Sequence, residues 1–243
     1  MLLIILGGIG FLTWEDFYTN KFKFKRYRMQ SKVILITTAI LIIAPAVFFF
    51  ACDFGNLPAG KRLLASVFQS VTTRTAGFNT EDLSLMTEAG KAVMILLMLI
   101  GGSPSSTAGG MKTTTFAVLI LNALATFRSR EDAGAFGRRF DGQVVKNAAT
   151  IAMMYFMLFF FGGITISVYE GLPLLTCLYE AASAVGTVGL TLGVTPGLHI
   201  ISRLILIVLM YLGRVGGMTL IYAVFSRKNN NGAKMPLEKI TVG

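Results

Sequence analysis

Two pairs of glycines in this chain share one spacing. Gly77 and Gly189 lie 112 residues apart, and so do Gly101 and Gly213. The first pair sits in Thr75-Ala76-Gly77-Phe78 and Thr187-Val188-Gly189-Leu190, the second in Leu99-Ile100-Gly101-Gly102 and Tyr211-Leu212-Gly213-Arg214. Two unrelated motifs displaced by the same interval mark a duplicated unit. Each copy runs apolar segment, amphipathic stretch, small-residue turn, second apolar segment. That order predicts a helix, a short re-entrant helix, a polar loop at membrane depth and a return helix. Non-helical backbone at that depth is tolerated only where it is buried in protein or lines a water-filled path. The two turns are therefore candidate ion-binding loops.

Composition places the units in a bilayer. Hydrophobic residues make up 54% and charged residues 14% of the 243, with mean hydropathy +0.68; a soluble domain carries about 25% charged residues. The formal charge of +10 invites a nucleic-acid reading, but its distribution argues against one. Basic residues cluster at Lys21 to Lys32, at Arg128 to Lys146 and after Arg227. All three clusters fall on one side of the membrane if each unit crosses twice, and an excess of Lys and Arg marks that side as cytoplasmic. A multi-pass protein of the inner or plasma membrane is expected, with linkers and C-terminus in the cytoplasm and some contact with anionic lipid. Cys52 and Cys177 read as packing residues, His199 is the single histidine, and no metal-ligand cluster or catalytic Ser/His or Asp/Asp pairing is visible. An enzyme is not expected, and no cofactor is implied.

Along the chain, residues 1–14 read as the end of a return helix, because Leu6-Gly7-Gly8-Ile9-Gly10 resembles the later Gly-Gly segments. Its own loop would lie upstream, so the sequence reads as the C-terminal portion of a longer protein. Residues 15–32 form a basic cytoplasmic linker and 33–127 the first complete unit, with a short helix at 61–71 and a turn at 72–80. Within its return helix, residues 101–110 hold four glycines and a proline, each costing a helix about 1 to 3 kcal/mol. This segment is expected to be an irregular intramembrane loop. Residues 128–146 form a second linker and 147–225 the second unit, with its final helix interrupted at 213–217. Residues 226–243 are a polar tail.

The turns contain no carboxylate, so cation selectivity there would rest on backbone carbonyls. Glycine can aim its own or a neighbouring carbonyl at an ion, a ring of such oxygens replaces the hydration shell of K⁺, and a helix C-terminus adds negative partial charge. The rival reading is a tight packing turn in which glycine lets two backbones approach.

These residues carry a family resemblance. The run Thr72-Thr73-Arg74-Thr75-Ala76-Gly77-Phe78-Asn79-Thr80 resembles the third pore loop of the Trk/Ktr/HKT potassium transporters, and Ser183-Ala184-Val185-Gly186-Thr187-Val188-Gly189-Leu190 resembles their fourth. Residues 101–113 look like their third-repeat gate segment, and Gly213-Arg214-Val215-Gly216-Gly217 like the arginine-bearing inner helix of the fourth. The tail is more similar to the Ktr-type membrane subunit.

The resemblance implies an all-α membrane protein of tandem helix–re-entrant pore loop–helix repeats, in the voltage-gated-like ion channel superfold. The chain would be about half of a four-repeat pore. It implies a selectivity filter at Thr75, Ala76, Gly77, Thr187, Val188 and Gly189, binding K⁺ through backbone carbonyls with Na⁺ as the open alternative. It implies a gate built from Gly101, Gly102, Ser103, Ser105, Ser106, Thr107, Gly109, Gly110, Lys112 and Arg214. It also implies a homodimer and a cytosolic nucleotide-binding regulatory ring. The leading expectation is the pore-forming subunit of a potassium uptake system; the alternative is a truncated, non-conducting regulatory or assembly subunit.

Charged residues elsewhere carry open alternatives. Arg214, in an apolar helix, should face a pore or donate to gate-loop carbonyls and hydroxyls, unless it snorkels to the cytoplasm. Lys112 divides between gate contact and snorkelling. Arg74 reads as a brace for the first turn, and Glu180 as its partner or as an attractor of cations. Asp53, Glu81, Asp82 and Glu88 read as solvated loop charge.

Overall fold

The computed structural model describes residues 1–21, 23–130 and 132–216. The chain opens with α1 (Leu2–Gly8) and α2 (Phe11–Asn20), set at 95° to each other. The bend is at Gly10, whose φ of 88° is open to glycine alone at little cost. Helix α2 carries residues 15–20 of the expected linker. Its buried Asp16 ties the following segment back, accepting from Ser31 Oγ at 2.6 Å and from the Arg28 amide at 3.1 Å.

Two copies of one element order follow. The first comprises α3 (Met29–Cys52), α4 (Ala59–Thr72), a loop, α5 (Glu88–Leu99), an irregular segment, and α6 (Thr113–Phe127). The second comprises α7 (Gly142–Glu170), α8 (Leu174–Val185), a loop, and α9 (Ile200–Val215). Among the described residues, α3 and α7 are each long and apolar enough to cross a membrane. α3 keeps its helical run through Pro45.

Local chemistry fixes the ends of these helices. Arg62 of α4 donates to the Phe50 carbonyl at 2.7 Å and stacks over the Phe50 ring at 4.3 Å, holding α4 against the end of α3. Thr87 caps α5 by accepting from the Gly90 amide, and Asp53 accepts from both the Thr87 amide and hydroxyl at 2.8 Å. Asp53 is thus a structural tie between α3 and α5 rather than free loop charge. Asp141 caps α7 through the Gln143 amide, and Gly171 ends it with φ 67°.

The core lies where the copies meet. Short helix α8 packs against α5, α7 and α9, burying Met94, Met98, Tyr179 and Val185 almost completely. Outward faces of α3, α7 and α9 leave Ile40, Ile43, Phe161, Leu204 and Ile207 exposed, as expected of helices whose solvent is lipid.

The linker between units contains a small antiparallel hairpin, β1 (Gly134–Ala135) with β2 (Arg138–Arg139), and α7 begins at Gly142, ahead of the unit boundary expected at 147. The break expected at 213–217 falls at Gly216 rather than at Gly213: α9 runs through Gly213 and Arg214 to Val215, since one glycine costs a helix only about 1 kcal/mol, and stops at Gly216, whose φ is 87°. Residues 217–243, with the polar tail, lie outside the described residues.

Candidate cation site and gate segment

Helices α4 and α8 stop at equivalent points, and each is followed at once by its Thr-x-Gly turn. The two turns share an unusual backbone. Thr75 and Thr187 both take positive φ, 59° and 52°, and Gly77 and Gly189 follow at 72° and 93°. A β-branched residue in that region is an outlier, so its recurrence in both copies reflects a shared loop shape rather than local accident. Side chains pin each turn. Thr72 Oγ1 donates to the Phe78 carbonyl at 2.6 Å, and Ser183 Oγ accepts from the Gly189 amide at 3.2 Å.

The turns also touch. A Cβ added at Gly77 would fall far inside contact distance of the Val188 carbonyl oxygen, whereas at Gly189 the nearest atom would be Gly77 Cα at 4.0 Å. Thr75, Ala76 and Gly77 of one copy thus lie beside Thr187, Val188 and Gly189 of the other. Each turn follows directly on the C-terminal end of a helix, α4 or α8, and such an end carries negative partial charge. Thr187 Oγ1 is a buried oxygen without a hydrogen-bond partner among the described residues.

Glu180 braces the second turn from behind. Its carboxylate accepts from Thr191 Oγ1 at 2.7 Å, the Leu192 amide at 2.9 Å and Thr195 Oγ1 at 2.7 Å. It does not pair with Arg74, one of the two roles its sequence position allows. Arg74 is buried, donates to Thr38 Oγ1 at 3.4 Å, and has no partner for its Nε among the described residues. Glu180→Gln keeps the shape but weakens charge-assisted bonds, each worth about 1.5 to 3 kcal/mol. We expect it to lower the midpoint of thermal unfolding in detergent by several degrees, and an unchanged midpoint would remove Glu180 as a brace.

The segment between α5 and α6 is irregular from Ile100 to Lys112. Its base is closed by the Gly101 amide on the Met111 carbonyl at 2.8 Å and the Thr113 amide on the Gly102 carbonyl at 3.0 Å. Ser103, fully buried, shares a hydrogen bond with Thr113 Oγ1 at 3.1 Å. Ser105 takes φ 60° at the tip, and Ser106 Oγ accepts from the Ala108 amide. Gly109 and Gly110 carry the segment past the second turn, against Thr187 and Gly186.

Both expected cations reach this segment. Arg214 Nη1 donates to the Thr107 carbonyl at 2.8 Å, and Lys112 Nζ to the Ala108 carbonyl at 2.6 Å. Two further holds were not read from the sequence. The Ser103 amide donates to the Gly8 carbonyl at 2.9 Å and the Phe11 amide to the Ser105 carbonyl at 3.2 Å, so the α1–α2 bend grips the tip. The Gly213 carbonyl accepts from the Gly110 amide at 3.4 Å and from Tyr155 Oη at 3.3 Å. A cavity of about 280 Å³ separates the first turn from the segment, lined by Gly7, Arg74, Thr75, Ala76, Thr107 and Ala108.

Comparison with known proteins decides the family. Residues 1–232 match the model of the TrkH family, described as cation transport proteins. The chain belongs to that family. It is 38% identical to the potassium/sodium uptake protein NtpJ of Enterococcus hirae, over 99% of this chain and 56% of the relative. It is 33% identical to the Ktr system potassium uptake protein B of Bacillus subtilis, over 99% of this chain and 55% of that protein. The crystal structure of the potassium transporter TrkH from Vibrio parahaemolyticus superposes with a TM-score of 0.74, covering 92% of this chain and 50% of that one, at 18% identity. That likeness is one of fold. The TrkH-family chain thus spans about half the length of the curated relatives it matches. These relatives are membrane transporters, not enzymes.

Proposed function

We propose that this chain supplies two of the pore units of a potassium-translocating membrane subunit. The observation that carries the proposal is the recurrence of positive φ at Thr75/Gly77 and at Thr187/Gly189 in turns that lie against each other. The turns act as filter loops, stripping a hydrated cation and replacing its water with carbonyl oxygens. The segment Ile100–Lys112 lies beyond them as a gate, held by Arg214 and Lys112. K⁺ is the substrate and Na⁺ the competing ion. Four such loops ring one ion, so two more come from further repeats of the complete protein. On the family resemblance, the complete subunit pairs as a homodimer and answers to a cytosolic nucleotide-binding ring, with its linkers in the cytoplasm.

Growth at low K⁺ of cells lacking their own uptake systems tests this. The chain extended by two further repeats is expected to restore growth, and the 243-residue chain alone is expected to fail. Equal rescue by the short chain would contradict the need for four loops. Failure of both, with membrane insertion verified, would contradict potassium transport and favour a non-conducting assembly role.

A further inference from the structure

Helices α3 and α6 leave an apolar groove of about 440 Å³ between them, closed at one end by Ala135 and Phe136 of the hairpin. Its walls expose Ile36, Ile40, Ile120 and Leu124 by 42 to 58%. On the other side of the same two hairpin residues is a depression of about 290 Å³ lined by Arg130, Arg138, Arg139 and Asp132. Arg139 pairs with Asp132 at 3.3 Å, while Arg130 and Arg138 are exposed. Lys32 sits at the junction, 5.6 Å from the Phe136 ring centroid.

An apolar trough that meets a basic depression at an aromatic hairpin matches a molecule with a hydrocarbon tail and an anionic head. We propose that an anionic phospholipid of the cytoplasmic leaflet occupies this site. One acyl chain lies in the α3–α6 groove, and the phosphate is held by Arg130 and Arg138. Juxtamembrane basic residues attract anionic headgroups at the inner leaflet, and the groove adds a slot that fixes one lipid in place. The hairpin carries both halves of the site, and Phe136, held at φ 52°, forms the lip between them. The orientation rests on the topology proposed above, and lipid retention is measured separately from ion transport.

The test is native mass spectrometry of the complete membrane protein, purified in detergent, with equimolar phosphatidylglycerol and phosphatidylcholine of the same acyl chains. Retention of phosphatidylglycerol over phosphatidylcholine by about fivefold or more is expected. Arg130→Gln with Arg138→Gln, both on the exposed surface, should remove the preference. Ile120→Trp, which fills the groove, should lower retention of phosphatidylglycerol while leaving the folded mass intact. Equal retention of the two lipids, a preference that survives the arginine changes, or retention unaffected by Ile120→Trp would each overturn the proposal. A loss of ion transport with lipid preference intact would count against the pore reading alone.

Discussion

Gly77→Ser in the complete protein is expected to cost most of the preference for K⁺ over Na⁺, with uptake reduced by an order of magnitude or more. Two effects combine. The glycine holds φ at 72°, where a side chain is strained, and its missing Cβ is the space occupied by the Val188 carbonyl oxygen. Backbone cannot give way as a flexible side chain can, so the substitution must push the two turns apart and widen the ring. Gly189→Ser meets only the conformational penalty, since the nearest atom of this chain would be 4.0 Å from the new Cβ. Its effect should be smaller. Rb⁺ uptake competed with Na⁺ measures both variants. Unchanged competition in Gly77→Ser would remove this turn from the selectivity of the protein.

Arg214→Ala is expected to raise flux and to make it less dependent on the cytosolic regulator. The guanidinium spans from α9 to the Thr107 carbonyl, linking the second unit to the irregular segment of the first at 2.8 Å, the segment proposed as the gate. An exposed charge-assisted bond is worth on the order of 1 kcal/mol, which shifts the closed-to-open ratio by about fivefold. Lys112→Met removes the parallel hold on Ala108, and the two changes together should exceed either alone. The remaining holds described above, from the Gly8 and Gly213 carbonyls and the Phe11 amide, are backbone and survive both substitutions. Flux through proteoliposomes with and without regulator separates the outcomes. Loss of transport in a folded, inserted Arg214→Ala protein would make the arginine a structural brace.

Much of this layout was legible because membrane depth restricts the backbone. A run holding four glycines and a proline cannot stay helical inside an apolar span, and the segment from Ile100 to Lys112 is irregular. The 112-residue interval paired Thr75 with Thr187 and Gly77 with Gly189, whose backbones match. The same interval misled at Gly213. Its partner Gly101 stands in the irregular run, but Gly213 stands among Tyr211, Leu212 and Val215 and remains in α9. Spacing transfers a position, while the neighbours decide the conformation.

Other contacts had weaker signals. For Glu180 the sequence leaves open pairing with Arg74 or attraction of cations, whereas its partners, Thr191 and Thr195, lie in the loop just beyond its own helix. The grip of the α1–α2 bend on Ser103 and Ser105 is made by backbone groups of Gly8 and Phe11, and such pairing leaves no side-chain mark. Gly7-Gly8-Ile9-Gly10 reads from the sequence as part of the end of a return helix, and the 95° bend at Gly10 is an addition of the structure. The hairpin did have a local signal: Phe136-Gly137, both at positive φ between Ala135 and Arg138, is a two-residue turn of the kind that favours glycine. It was hidden inside a segment read only for its charge.

The most direct test of the central claim is anomalous diffraction from the complete protein crystallised with Tl⁺, a heavy stand-in for K⁺. The account predicts a Tl⁺ peak between the turn at Thr75-Ala76-Gly77 and the turn at Thr187-Val188-Gly189, coordinated by their backbone carbonyl oxygens and weakened by excess K⁺ more than by excess Na⁺. A transport-competent protein whose Tl⁺ sites all lie away from these two turns would contradict it.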